Sequence, residues 1–480
     1  IGWLYQFYIS DKKDEVFAGF KKNKKARAED IPAATQIFTP KWIVKYMVEN
    51  TVGKIYLDYE PTSSLKEDMK YLVQNDSDKD NKAIISDITE LTLIDPASGS
   101  GHILVTGFEL LFKMYREEGY TAKQAVDNIL ENNLFGLDID DRAMQLARFA
   151  VLLKAAQFDA DVLNRGIIPH VYSFPEASHF TSEELQNFLG HDGHQFTAEI
   201  KEALQLLNQG KNIGSALKLE LSEAAQNHIK KQYADWLQLS KRAGLDIEQS
   251  SVWNRLQPFL DVLLVLSKKY ASVVANPPYM GQKSMNGELK DYVNTQYHLT
   301  KSDLFAVFME VCLSLNVRKG LMGMINQHSW MFLSSYEKLR EEILNNYSIM
   351  NMLHLGPRTF EELSGEVVQS TAFVFENGND IQEGTYFRLV DYRNNAEKES
   401  QFLARNNRYP NIPKANFSKI PGSPIAYWVS EKIKTLFESG KILDNIMPPR
   451  AGLTTGDNNK YLRFWFEVSQ KKRLNKWISH

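Results

Sequence analysis

The run Tyr270-Ala-Ser-Val-Val-Ala275, and what stops it, narrows the possible folds more than any other stretch. Its small, apolar and β-branched residues carry no charge and predict a buried strand. Pro277 and Pro278 end that strand, because neither has a backbone N–H for a ladder and each holds the residue before it extended. At this edge Asn276 offers a side-chain carbonyl oxygen and Pro277 a backbone carbonyl, two acceptors close together. Tyr279 follows with a flat aromatic face. Such a loop suits a planar exocyclic amine, which donates two N–H groups and has a ring to stack. The same residues also suit a plain Asn-Pro turn that closes a strand.

The pattern upstream is built the same way. Leu91-Thr-Leu-Ile-Asp95 reads as a strand, Pro96-Ala97-Ser98-Gly99-Ser100-Gly101 as its glycine-bearing exit, and His102 to about Glu118 as an amphipathic helix. Strand, small-residue turn and helix let a backbone approach a ligand closely. The spacing is neither the dinucleotide fingerprint nor the lysine-bearing phosphate loop, so readings on nicotinamide or nucleoside triphosphate are weak. Leu134 to Asp138 is a second short strand ending in an acid. Asp138 there either accepts from the hydroxyls of a ribose or caps the helix Asp141 to Ala156. Further strands are expected at Ile167–Phe174, Gly320–Ile325, Tyr347–Leu355 and Ser370–Phe375, with a buried helix from Asp303 to Cys312. This alternation predicts a doubly wound α/β sheet, with ligands beyond the carboxyl ends of the strands, where Asp95, Asp138 and Asn276 all fall.

Other stretches are peripheral to that sheet. Residues 1–35 form an N-terminal segment whose basic cluster, Lys21, Lys22, Lys24, Lys25 and Arg27, is either a solvated face or an arm for phosphates. Thr39 is placed as the cap of a helix beginning at Pro40, where an exposed helix start can receive a carboxylate. Residues 57–88 are polar, and about 175–266 form a helical insertion too long for a loop. His191 and His194 within it read as surface side chains, and no metal is called for. After about Asn379 the alternation stops, so 36–379 is the expected sheet domain and 380–480 the start of another, including Thr454-Thr455-Gly456-Asp457-Asn458-Asn459.

Composition bounds the rest. A formal net charge of −3 neither supports nor excludes nucleic acid, since a basic groove can coexist with an acidic back. The single cysteine excludes a disulfide framework or cysteine zinc site and points to a reducing, cytoplasmic setting. No apolar run reaches the length of a membrane span.

Taken in order, Phe38-Thr39-Pro40, Asp95 to His102, Gly136-Leu137-Asp138 and Asn276-Pro277-Pro278-Tyr279 resemble the amino-methylating DNA methyltransferases of the gamma class. The long insertion and the continuation Asn-Pro-Pro-Tyr-Met-Gly281 look most similar to the PglX family, adenine-specific DNA methyltransferases of bacterial BREX phage-defence systems. The likeness covers roughly residues 35–380, with Ser98 standing where that family commonly has cysteine. It implies a Rossmann-like fold, S-adenosylmethionine as cofactor, double-stranded DNA as partner and other BREX components as further partners. By position Phe38, Thr39 and Pro40 hold the methionine end, Asp95, Pro96, Ala97, Ser98, Gly99, Ser100 and Gly101 wrap the cofactor, and Asp138 takes its ribose. Asn276, Pro277, Pro278 and Tyr279 form the catalytic loop. Tyr279 stacks on a flipped adenine, and Phe360 is the candidate for its other face, with a core aromatic as the competing reading. Cytosine N4, a protein glutamine amide, or a scaffold without turnover are the alternatives. The contact to the cofactor's adenine is not placed by these motifs.

Overall fold

The computed structural model describes residues 2–22, 24–35, 38–74, 83–360, 368–440 and 447. Within these, nine strands form one sheet: β1 (Leu93–Asp95), β2 (Leu134–Asp138), β3 (His170–Ser173), β4 (Tyr270–Ala275), β5 (Asn316–Gln327), β6 (Ser348–Gly356), β7 (Ser370–Glu376), β8 (Glu383–Arg388) and β9 (Arg408–Pro413). Their order is β3-β2-β1-β4-β5-β7-β6-β8-β9. β3, β2, β1, β4 and β5 run parallel, and β7 pairs antiparallel with both β5 and β6. The chain moves outward from β1 to β3 and then returns to lay β4 on the other side of β1. That reversal leaves a crevice at the carboxyl ends of β1 and β4, where open α/β sheets bind ligands.

Successive side chains of a strand face opposite ways, and both faces of this sheet are covered. Ile94, Phe135, Val273, Met322 and Phe373 join one apolar core with the helix Leu304–Leu315 and the insertion. Their neighbours Leu93, Leu134, Val274, Leu321 and Val374 join a second core with the helices Lys41–Val48 and His102–Glu117. This double burial explains why β4 reads as an uninterrupted apolar run. The doubly wound sheet expected from the sequence is the observed fold. The insertion is helical, with helices Ser182–Leu189, Thr197–Leu207, Glu223–Lys241 and Ile247–Ser267.

One local expectation is corrected, and one of two open alternatives is excluded. The helix after Phe38-Thr39 starts at Lys41, with extended Pro40 (φ −54°, ψ 138°) as its cap, and the Pro40 carbonyl accepts the first helical N–H from Val44 at 3.2 Å. Thr39 is therefore not the cap, and no side chain satisfies the first amides there. Asp138 does not cap the next helix either. Asp140 does, accepting the Arg142 N–H at 2.9 Å ahead of the helix Asp141–Phe158.

Beyond Asn379 the sheet continues through β8, parallel to β6, and β9, antiparallel to β8. A compact unit spans Ile1–Val429, and a second, Ser430–His480, contains the helix Glu431–Ser439. Thr454 to Asn459 lie outside the described residues.

Candidate active site

Strand β1 delivers Asp95 to the crevice, and its exit turn doubles back over β2. The Asp95 carboxylate accepts the Ala97 N–H at 3.0 Å, and the Ser98 N–H donates to the Leu137 carbonyl at 2.9 Å. Gly99 follows with φ +50°, a conformation cheap only for glycine, and its N–H donates to Asp138 at 2.8 Å. Asp138 also accepts the Asp140 N–H at 2.9 Å. The two acids at the ends of adjacent strands are thus held by the turn itself. Gly101, at φ +85°, starts the helix where an added Cβ would lie 3.0 Å from Ala147, so its place is set by helix packing.

Both carboxyls are pushed toward the neutral form. Burial raises Asp95 to about 8, with Asp138 adding a like charge. Burial raises Asp138 to about 6 against the backbone amides that favour its charge. Among the described residues neither has a cationic partner that would account for keeping two acids side by side.

These residues wall an open cleft with about 1140 Å³ of empty space, part of it continuous with solvent. Phe38, Thr39, Asp95, Pro96, Ala97, Ser98, Gly99, Ser100, Asp138, Asn276 and Pro278 all line it. Pro40, Gly101, Pro277, Tyr279 and Phe360 do not. Sequence reasoning missed the other walls. Ile31, Pro32 and Thr35 come from the N-terminal segment, Ile139 follows Asp138, and Asn212 to Ser215 come from the insertion. The insertion is fastened there by the Ser215 hydroxyl, which donates to the Pro96 carbonyl at 2.6 Å.

The catalytic-loop candidates leave β4 at the far side of the same cleft. The Tyr279 hydroxyl lies 3.2 Å from the Asn276 side-chain oxygen and 3.2 Å from the Ile325 carbonyl, one proton between two acceptors. Asp303 fixes the loop's exit, accepting the Met280 N–H at 2.9 Å while capping the helix Leu304–Leu315. Phe360 is 4 % exposed and packs in the second core. Its ring meets that of Tyr279 edge-on, with centroids 6.5 Å apart and planes at 66°, so the two do not form a parallel slot here.

The donor set matches an amphiphilic nucleoside. Two carboxyls suit hydroxyls or a cation, small backbone turns permit close approach, and apolar Ile31, Pro32, Ile139 and Ile213 suit a flat ring. In the same wall the Ser98 hydroxyl and the His102 Nε2 are buried with no hydrogen-bond partner, which costs stability unless a ligand supplies one. The His102 ring stands edge-on to Phe38 at 4.1 Å, and burial lowers its basicity to about 4, leaving it neutral. S-adenosylmethionine fits this set. Among the described residues no group of three or more His, Cys, Asp or Glu side chains is placed to hold a metal ion, and no helix is long and apolar enough to cross a membrane.

Comparison with known proteins places the chain among DNA-modifying methylases by sequence. Residues 132–360 match the family described as Eco57I restriction-modification methylase, and residues 73–175 match the DNA-methyltransferase domain of MmeI. The chain is 40 % identical to the adenine-specific methyltransferase BrxX of Escherichia coli O9:H4 (strain HS), over 98 % of this chain and 40 % of that protein. It is also 40 % identical to the adenine-specific methyltransferase PglX of Lacticaseibacillus casei (strain Zhang), with the same coverage. A solved DrdV–DNA complex aligns with 82 % of this chain and 31 % of that one, at 12 % identity and a TM-score of 0.46. The chain thus spans about two fifths of the curated relatives it matches. On identity across nearly all of its own length, the chain belongs to the BrxX and PglX family of adenine-specific methyltransferases.

Proposed function

We propose that the protein methylates the exocyclic N6 of adenine in double-stranded DNA, with S-adenosylmethionine as donor, and that this modification serves a BREX phage-defence system. The observation that carries the reading is that Asn276 and Pro278 line the same cleft as the Asp95 and Asp138 carboxyls. A site for a nucleoside and the Asn276 carbonyl acceptor then share one rim, with the Pro277 carbonyl next in the same loop. The names of the relatives supply adenine, and the resemblance to the PglX family supplies the link to BREX.

The bound cofactor supplies an electrophilic methyl group on a positively charged sulfur. The protein's own residues hold and orient the rest. Asp138, when ionised, accepts from ribose hydroxyls with the lone pairs left over from Gly99 and Asp140. Phe38 and Thr39 bound the methionine end. An adenine amine is a poor nucleophile because its lone pair is delocalised into the ring. The Asn276 side-chain oxygen and the Pro277 carbonyl accept its two N–H groups, which concentrates electron density on nitrogen as the new bond forms. Hydrogen bonds that strengthen only then lower the barrier. The rest of the acceleration comes from holding the two reactants in line.

A base paired in a duplex cannot enter this cleft and must be swung out of the stack. The incoming amine replaces the Tyr279 hydroxyl at the Asn276 oxygen, so one hydrogen bond is exchanged for another. Stacking between Tyr279 and Phe360 requires one ring to turn from the present 66° toward parallel.

The test is methyl transfer by the full-length protein from labelled S-adenosylmethionine to DNA, followed by digestion to nucleosides. N6-methyladenine is the expected product. N4-methylcytosine, or label on protein alone, would move the substrate to one of the alternatives. DNA binding with no transfer to any acceptor would leave a scaffold.

A further inference from the structure

We propose that Lys22, Lys24, Lys25, Lys283 and Lys301 form a contact surface for the DNA backbone beside the catalytic loop. The proposal rests on the DNA reading above and assigns the basic N-terminal stretch, which the proposed chemistry leaves unused.

The helix Gly2–Lys21 ends in a turn in which the Lys22 and Lys24 N–H groups both donate to the Gly19 carbonyl, at 2.9 and 3.0 Å. The chain then docks on the segment that follows Asn276-Pro277-Pro278-Tyr279. Buried Ala26 donates its N–H to the Ser284 carbonyl at 2.9 Å, and the Lys25 ammonium donates to the Lys283 carbonyl. On its other side that segment meets the turn before the helix Leu304–Leu315, the Gln282 N–H donating to the Ser302 carbonyl at 3.2 Å. Three segments distant in sequence are thereby stitched together, and each brings exposed lysine to the seam.

The charge there is not cancelled. Arg27 is spent on Glu29 and Asp30, at 2.8 and 3.0 Å, and Asp303 is turned onto the Met280 N–H. No ion pair among the described residues takes up Lys24, Lys25, Lys283 or Lys301. Lys283 stands four positions after Tyr279, a reach of at most ~14 Å along an extended chain. That is well within the ~34 Å of one duplex turn around a base held at Tyr279. Lysines so placed meet phosphates, which orient the duplex without reading its sequence.

The experiment measures DNA affinity of the full-length protein against salt, for a duplex of fixed sequence. In the variant K24Q/K25Q/K283Q/K301Q the affinity at ~0.1 M salt should fall at least tenfold, and the slope of log K against log salt should shrink by about two to four. A control variant, K230Q/K231Q/K241Q/K338Q, removes equal charge elsewhere and should keep the wild-type slope. Unchanged S-adenosylmethionine affinity in both variants checks the fold. Equal affinity and slope in the first variant, or the same loss in the control, would overturn the proposal. Wild-type protein that binds no duplex at low salt would instead overturn the DNA reading on which it rests.

Discussion

Asp138 and Asp140 stand two residues apart and make opposite predictions when each is replaced by alanine. Asp140 accepts the Arg142 N–H as the helix cap, whereas Asp138 accepts from Gly99 and Asp140 and faces the cleft. Loss of a capping acid costs about 0.5–2 kcal/mol. Across a unit as large as Ile1–Val429 that lowers the melting temperature by on the order of 1–2 °C. Asp140→Ala should show that drop and bind S-adenosylmethionine within about threefold of wild type. On the proposed reading, Asp138→Ala removes the acceptor for the cofactor's ribose. A hydrogen bond to a charged acceptor is worth ~1.5–3 kcal/mol, so one lost bond weakens binding roughly ten- to hundredfold. Its stability should change little, because two effects oppose each other. Two backbone N–H groups lose an acceptor, but a carboxylate that burial already disfavours is removed. Calorimetric titration of the cofactor and a melting curve on each variant separate the cases. Normal affinity in Asp138→Ala with a lowered melting temperature would refute the ribose assignment.

Three further outcomes follow from the same geometry. Asn276→Ala should keep cofactor affinity and lose about 10²–10³ in single-turnover methyl transfer, as removal of a preorganised polar contact does elsewhere; an unchanged rate would remove its role. Cofactor affinity should weaken as pH falls through about 6, where Asp138 takes up a proton and gives up an acceptor position, and titrations from pH 5 to 8 would read this directly. Asp95 has a folded-state pKa raised to about 8, so the folded protein binds more protons than the unfolded chain between the ordinary carboxyl range and that value, and this acid's contribution to stability falls as pH rises across it. Asp95→Asn removes the term, and melting curves of the variant without ligand should lose that part of the wild-type decline from pH 6 to 8.

What the sequence told about this molecule depended on how local the determining forces were. β2 and β4 are legible to the residue because both faces are buried, which forces a continuous apolar run bounded by Asp138 and Asn276. The cap at Thr39 was misread because Thr39 has the right side chain one position before Pro40, and the choice at Asp138 stayed open because a capping type of side chain stands there two positions before Asp140, which does the capping. β9, Arg408–Pro413, is an edge strand with two prolines and mostly exposed positions, so it carries no periodic signal. The cleft walls at Ile31, Pro32 and Asn212 to Ser215 were invisible for a different reason. They are ordinary residues that acquire meaning only when the chain folds back across some hundred positions. Phe360 was located by its loop but its ring orientation was not, since that is decided by packing against Tyr279.

The bond from the Ser215 hydroxyl to the Pro96 carbonyl has an implication for how such a protein can be shortened. A trimmed version reduced to its sheet and flanking helices would preserve both acids and the asparagine, yet lose a side of the chamber that surrounds them. The extra helices are therefore a structural part of the cleft, and a smaller version that keeps its walls has to rebuild that side from other material.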